Sequence, residues 1–162
     1  VDNEIAKENV TKLAKSLNCE VEVKEINGDF YVNIFKGMVH EEYIPEQMFE
    51  TKDLVLLIGK DTMGEGSKEL GKILMKGYFY TLTEVKPYPK AILFINSGVK
   101  LTTEGSEVID HIRNLESAGV EILSCGTCLD YFNLKEKLVV GGVTNMYTIV
   151  EKMKNAINTI VL

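Results

Sequence analysis

Two thiols three residues apart hold the chemistry of this chain: Cys125 and Cys128, in Ser124-Cys125-Gly126-Thr127-Cys128. Such a pair can close a disulfide, share a metal, or hand a sulfur atom from one thiol to the other. Zinc usually takes four ligands from Cys, His and carboxylate. The other soft candidates are Cys19, His40 and His111, and none of them pairs with another at ligand spacing, so no metal is expected. A thioredoxin-type centre follows an early strand and has an aromatic beside it, whereas this motif comes late in the chain and the protein has no Trp. Sulfur transfer needs a reachable thiolate that attacks a donor's outer sulfur. A cysteine at a strand's end, just before a helix, suits that role, because helix N–H groups and the dipole favour the thiolate. The bland reading of any free cysteine is a small buried hydrophobe, and it is preferred for Cys19.

Periodicity supplies the elements that must position the pair. Residues 4–17 carry Ala6, Val10, Leu13, Ala14 and Leu17 at helical spacing. Val21–Ile26 and Phe30–Ile34 alternate on either side of Asn27-Gly28, a strong hairpin signal. Residues 36–53 lack periodicity and read as a linker. From Leu54 the pattern changes. Leu54–Ile58 and Ala91–Ile95 are continuous apolar runs, as expected of strands buried on both faces. Glu121–Leu123 reads as a third strand, Leu138–Val140 as a short fourth, and Thr159–Leu162 as a closing strand. Three helices fall between them. The first presents Leu70, Ile73, Leu74 and Tyr78. The second carries Val108, Ile109, Ile112 and Leu115. The third carries Met146, Ile149, Val150, Met153 and Ile157 and is expected to be capped by Thr144, with Met146 and Met153 read as core. Alternating strands and helices predict an α/β fold, a mostly parallel sheet with helices on both faces. A small α+β half-domain, a helix and a β-hairpin, precedes it.

In an open parallel sheet, ligands bind beyond the carboxyl ends of the strands. Four segments rich in Gly and small polar residues are expected there: Gly59–Gly66, Asn96–Val99, Ser124–Cys128 and Gly141–Met146. The candidate catalytic residues are Cys125 and Cys128. The candidate substrate-binding residues are Asp61, Met63, Gly64, Asn96, Ser97, Gly126, Thr127, Asn145 and Met146. The first segment is not a P-loop: Gly59 and Gly64 are spaced correctly, but Glu65 and Gly66 stand where Lys and Ser or Thr belong. Glu69 takes the third glycine position of a dinucleotide fingerprint, and Asp61 and Glu65 would repel a phosphate. No cofactor is expected.

The net charge of −6, with 18 basic residues and no basic run, argues against a nucleic-acid surface. No apolar stretch approaches the roughly 20 residues that span a bilayer. The polar, acidic start lacks a signal-peptide pattern. The expected compartment is therefore the cytoplasm, where thiols are mostly reduced.

Residues 54–162 resemble the DsrE-like sulfurtransferase domain, most closely that of YedF-type proteins, described as sulfurtransferase-like and linked to selenium metabolism. The segments that carry the resemblance are Gly59–Gly64, Asn96–Val99, Cys125–Phe132 and Val143–Tyr147. Residues 1–35 resemble the second half of a TusA-like domain, without the strand, helix, strand and Cys-Pro motif that open one. Either the sequence is a piece of a longer chain or this half-domain has another role.

The resemblance implies a sulfur-relay or selenium-related carrier that is homo-oligomeric and has persulfide donor and acceptor proteins as partners. It matches Cys125 to the persulfide-bearing position. Cys128 falls where relatives have a small non-thiol residue, and it would resolve or relay the sulfur. Two other readings stay open: a non-catalytic subunit that binds a small ligand or a partner, and a thiol–disulfide redox protein.

Overall fold

A computed structural model describes residues 1, 4–17, 19–26, 28–36 and 52–162. Most of the expected linker, and Asn27 of the hairpin turn, lie outside the described residues. The chain divides into two units, Val1–Pro45 and Glu46–Leu162.

The first unit holds helix α1 (Glu4–Ser16) and the strands β1 (Glu20–Ile26) and β2 (Asp29–Phe35). β1 and β2 pair antiparallel, with Ile26 opposite Asp29 beside the turn. This is the expected helix and hairpin.

The second unit is built on five parallel strands: β3 (Lys52–Ile58), β4 (Pro89–Phe94), β5 (Glu121–Cys125), β6 (Gly142–Thr144) and β7 (Asn158–Val161). They lie side by side in the order β6-β5-β4-β3-β7. Between them run helices α2 (Lys68–Glu84), α3 (Ile109–Ser117), α4 (Gly126–Tyr131) and α5 (Met146–Asn155), with 3₁₀ segments at Asn96–Thr102 and Lys135–Lys137. The period of two along each strand divides the core. Leu56, Ile58, Ile92, Phe94 and Ile122 face one way and pack with Met75 and Phe79 of α2 and Ile112 and Leu115 of α3. Val55, Leu57, Ala91, Leu93 and Cys125 face the other way and pack with Ile149 of α5. Helices therefore cover both faces, as the continuous apolar strands require. No helix among the described residues is long and apolar enough to cross a membrane.

Three local expectations are corrected. First, α2 turns Gly71, Met75 and Phe79 inward, while Leu70, Ile73 and Leu74 are exposed. Two apolar stripes interleave on this helix, and spacing alone does not say which one meets the sheet. Second, Leu138–Val140 forms no strand. Leu138 makes a single bridge to Thr103, and the short strand comes later, at Gly142–Thr144. The cause is Gly141, at φ 76°, where a Cβ would lie 2.5 Å from Ile122, so the chain joins the sheet only beyond this residue. Third, α5 is capped by Asn145 rather than Thr144. The Asn145 Oδ1 accepts from the Thr148 N–H at 3.0 Å, while Thr144 is spent as the last residue of β6. Ile157 lies past the end of α5, and Met146 is 56% exposed rather than core.

Candidate functional site

Register brings the four glycine-rich segments to one edge. Ile58 stands opposite Phe94, Phe94 opposite Ser124, and Ser124 opposite Val143. β3 and β4 end at Ile58 and Phe94, and β5 and β6 one residue past Ser124 and Val143, at the paired Cys125 and Thr144, so all four strands leave the sheet at its carboxyl edge.

The thiol pair sits where β5 passes into α4. Cys125 ends the strand and is 2% exposed, on the α5 side of the sheet. It occupies the N-cap position of α4, yet its side chain makes no cap hydrogen bond. Cys128 lies in the first turn of α4, is half-buried, and packs against both halves of the core. Its Sγ accepts the backbone N–H of Asn96 at 3.1 Å.

That N–H is aimed by an unusual backbone. Asn96 opens the 3₁₀ segment after β4 with φ 47°, a left-handed conformation that Asn tolerates better than most residues. The segment is pressed onto the end of β3: a Cβ on Gly98 would lie 2.2 Å from the Ile58 carbonyl oxygen. Its other end is tied to β5 by hydroxyls. Thr102 Oγ1 donates to the Val99 carbonyl at 2.8 Å and shares a 2.8 Å hydrogen bond with Ser124 Oγ, both side chains fully buried. The backbone that carries Asn96 is thus fixed to β5, which ends in Cys125 and leads into the helix that carries Cys128.

Cys128, within the first turn of α4, is not the strand-end cysteine whose thiol the sequence expects a helix N-terminus to lower. Burial pushes its thiol up. The Asn96 N–H opposes this, and the hydrogen bond and charge of neighbouring Cys125 push it further up. Cys125 thus bears directly on the Cys128 thiol.

The other candidates divide by role. Asn96 acts through its main chain rather than its amide. The Ser97 Oγ accepts the backbone N–H of Asp61 at 3.3 Å, joining the first segment to the second. Met63 is half-buried, and its N–H donates to the Gly71 carbonyl at 3.0 Å, folding the first segment back onto α2. Lys60 and Glu65 form an ion pair across that loop. Gly126 lets α4 approach β6, since a Cβ there would lie 3.0 Å from Val143 Cγ1. The Asn145 side chain is committed to its cap. Gly64, Thr127 and Met146 are exposed on the second unit. Sequence reading missed the Thr102–Ser124 pair. The only signal was two hydroxyl residues beside buried apolar runs, and that pattern also fits ordinary turns.

The profile of the DsrE/DsrF-like family matches residues 74–162, a span that includes Asn96, Cys125 and Cys128. The chain belongs to the DsrE/DsrF-like family. Two solved structures share its fold. The ychN protein from E. coli is 13% identical, with a TM-score of 0.50 over 69% of this chain and 99% of that one. MTH1491 from Methanobacterium thermoautotrophicum, described as a protein of unknown function, is 18% identical, with a TM-score of 0.50 over 67% of this chain and 97% of that one. At these identities the likeness is one of fold. No curated protein matches the chain by sequence. The DsrE/DsrF-like match begins within α2, so β3 and the Asp61 loop precede it.

Proposed function

We propose that this DsrE/DsrF-like chain is a sulfur carrier in which Cys125 and Cys128 act as a pair. The observation that carries the reading is the hydrogen bond from Asn96 N–H to Cys128 Sγ. A main-chain donor aimed at a half-buried sulfur stabilises the thiolate, and equally the inner sulfur of a persulfide as it leaves with negative charge. Membership in a family associated with sulfur relay supports the same reading.

Burial supports the opposite order from the one the resemblance implies. Cys128 is the more accessible thiol and Cys125 the more buried one. In the proposed step the Cys128 thiolate attacks the outer sulfur of a donor persulfide. The donor's S–S bond breaks, the donor leaves as a thiolate, and Cys128 holds the persulfide. An acceptor thiolate then attacks that outer sulfur and restores the Cys128 thiolate. In a side branch the Cys125 thiolate attacks the inner sulfur, forming a Cys125–Cys128 disulfide and releasing hydrosulfide. The finer assignment, a YedF-type protein of selenium metabolism with a TusA-like first unit, belongs to the same proposal, with selenium in place of the transferred sulfur.

Cyanolysis tests the reading. Protein loaded from a persulfide donor should release thiocyanate in proportion to loaded chain, and Cys128→Ser should release none. Equal thiocyanate from wild type and Cys128→Ser would overturn it.

A further inference from the structure

Beside the thiol edge, the second unit holds a cavity of about 560 Å³ lined by residues of α2, the Asn96–Thr102 segment, the loop before α3 and the chain after α4. Small-molecule sites run from roughly 300 to 1,000 Å³. Neither thiol lines this one.

Its apolar lining is firm. Met75, Leu101 and Val108 are 1%, 7% and 2% exposed, and Phe132 stands with them. Three lysines also line it: Lys72, Lys76 and Lys100. Lys76 is paired with Glu107 at 3.0 Å. Among the described residues, Lys72 and Lys100 make no ion pair. The Lys100 ammonium lies 4.8 Å from the centre of the Phe132 ring. Asp61, Glu104 and Glu107, the last as the partner of Lys76, complete the charged lining.

We propose that this cavity binds a small amphipathic monoanion, a carboxylate or sulfonate on an apolar body. The body buries itself against Ile73, Phe132 and Leu134, over a floor of Met75, Leu101 and Val108, and the acidic group takes Lys72 and Lys100. A cationic ligand is disfavoured because Lys100 already occupies the face of the ring where an ammonium would sit. Asp61 and Glu104 limit the ligand to one acidic group, since a dianion such as a phosphate monoester would meet both carboxylates. The site is independent of sulfur chemistry, and its test does not use it.

Anilinonaphthalene sulfonate, an aromatic monoanion, is titrated into the folded full chain and followed by fluorescence, with circular dichroism as the check on folding. The expected result is saturable one-to-one binding. It should weaken by about tenfold or more in Lys72→Glu and in Lys100→Glu, the worth of one charge-assisted contact. It should weaken similarly in Ile73→Trp, which fills the cavity from an exposed α2 position. Unchanged binding in all three folded variants would overturn the proposal, and so would absence of saturable binding. Loss of binding in Val150→Glu, on the exposed face of α5, would overturn it too by placing the probe elsewhere.

Discussion

The Asn96 N–H and the Cys128 Sγ, 32 residues apart in sequence, meet at 3.1 Å because Asn96 holds φ at 47°. Few side chains accept that conformation. Holding it would cost a β-branched residue about 1–2 kcal/mol, so such a residue would leave it and turn the N–H away. Asn96→Val should therefore raise the Cys128 thiol further, because a hydrogen bond that favours the thiolate is lost. Asn96→Gly should leave it in place. Alkylation of Cys128 against pH, followed by peptide mass mapping, separates the two; equal profiles for Val and Gly would mean that the backbone contact does not tune the thiol.

Cys128 is pushed up by burial and by Cys125, against the pull of Asn96. Removing the neighbour in Cys125→Ala removes a hydrogen bond and a charge that both raise it. The thiolate absorbance of Cys128 should then appear at lower pH than in wild type. A titration unchanged or moved upward would show that the thiols do not interact.

The same shift has a consequence for stability. A thiol raised in the folded state favours folding below the unfolded thiol pKa of about 8.5, and that contribution is lost as pH rises through the folded value. Wild type should lose denaturant resistance across this alkaline window, and Cys128→Ala should lose less. Parallel curves for the two proteins would contradict the shift.

Thr102 and Ser124 share a buried hydrogen bond at 2.8 Å. Thr102→Val leaves the Ser124 hydroxyl without that partner and should cost about 1–3 kcal/mol. Adding Ser124→Ala should recover part of the loss, since no orphaned hydroxyl remains. Chemical denaturation of the four proteins in a double-mutant cycle measures the coupling, and strict additivity would rule the pair out as a tie between the two segments.

Gly98 and Gly126 set up a graded comparison. A Cβ at Gly98 would meet rigid backbone, the Ile58 carbonyl oxygen, at 2.2 Å, whereas one at Gly126 would meet a side-chain methyl at 3.0 Å. Gly98→Ala should destabilise by about 1–3 kcal/mol or more, the usual range of overpacking, and Gly126→Ala by less. The reverse order in thermal melts would mean that the Asn96–Thr102 segment is not pressed onto β3.

What the sequence disclosed follows from which interactions are local. The β3 and β4 runs were legible because strands buried on both faces need unbroken apolar stretches. The cysteines were legible at the strand edge because the shorter run Val120–Leu123 ends with only Ser124 between it and Cys125. The inward face of α2 was not legible: Leu70-Ile73-Leu74 and Gly71-Met75-Phe79 both satisfy helical spacing, and only the sheet chooses between them. β6 was misplaced because Leu138–Val140 is the more apolar segment, while pairing waits for the turn at Gly141. The contact between Asn96 and Cys128 could not be read at all, since it joins a main-chain group to a side chain across two strands. Sequence could offer only that Asn96 and Cys128 belong to the same edge.

Single-turnover loading followed by mass mapping addresses the thiol pair most directly. Reduced protein is mixed with a persulfide donor, quenched at short times with an alkylating reagent, digested, and the modified cysteine identified. The added mass of one sulfur atom should appear first on Cys128, and a Cys125–Cys128 disulfide should accumulate later in wild type but not in Cys125→Ala. A chain that gains no sulfur on either cysteine, or that loads as fast after Cys128→Ser as before it, would contradict a sulfur carrier built on this pair.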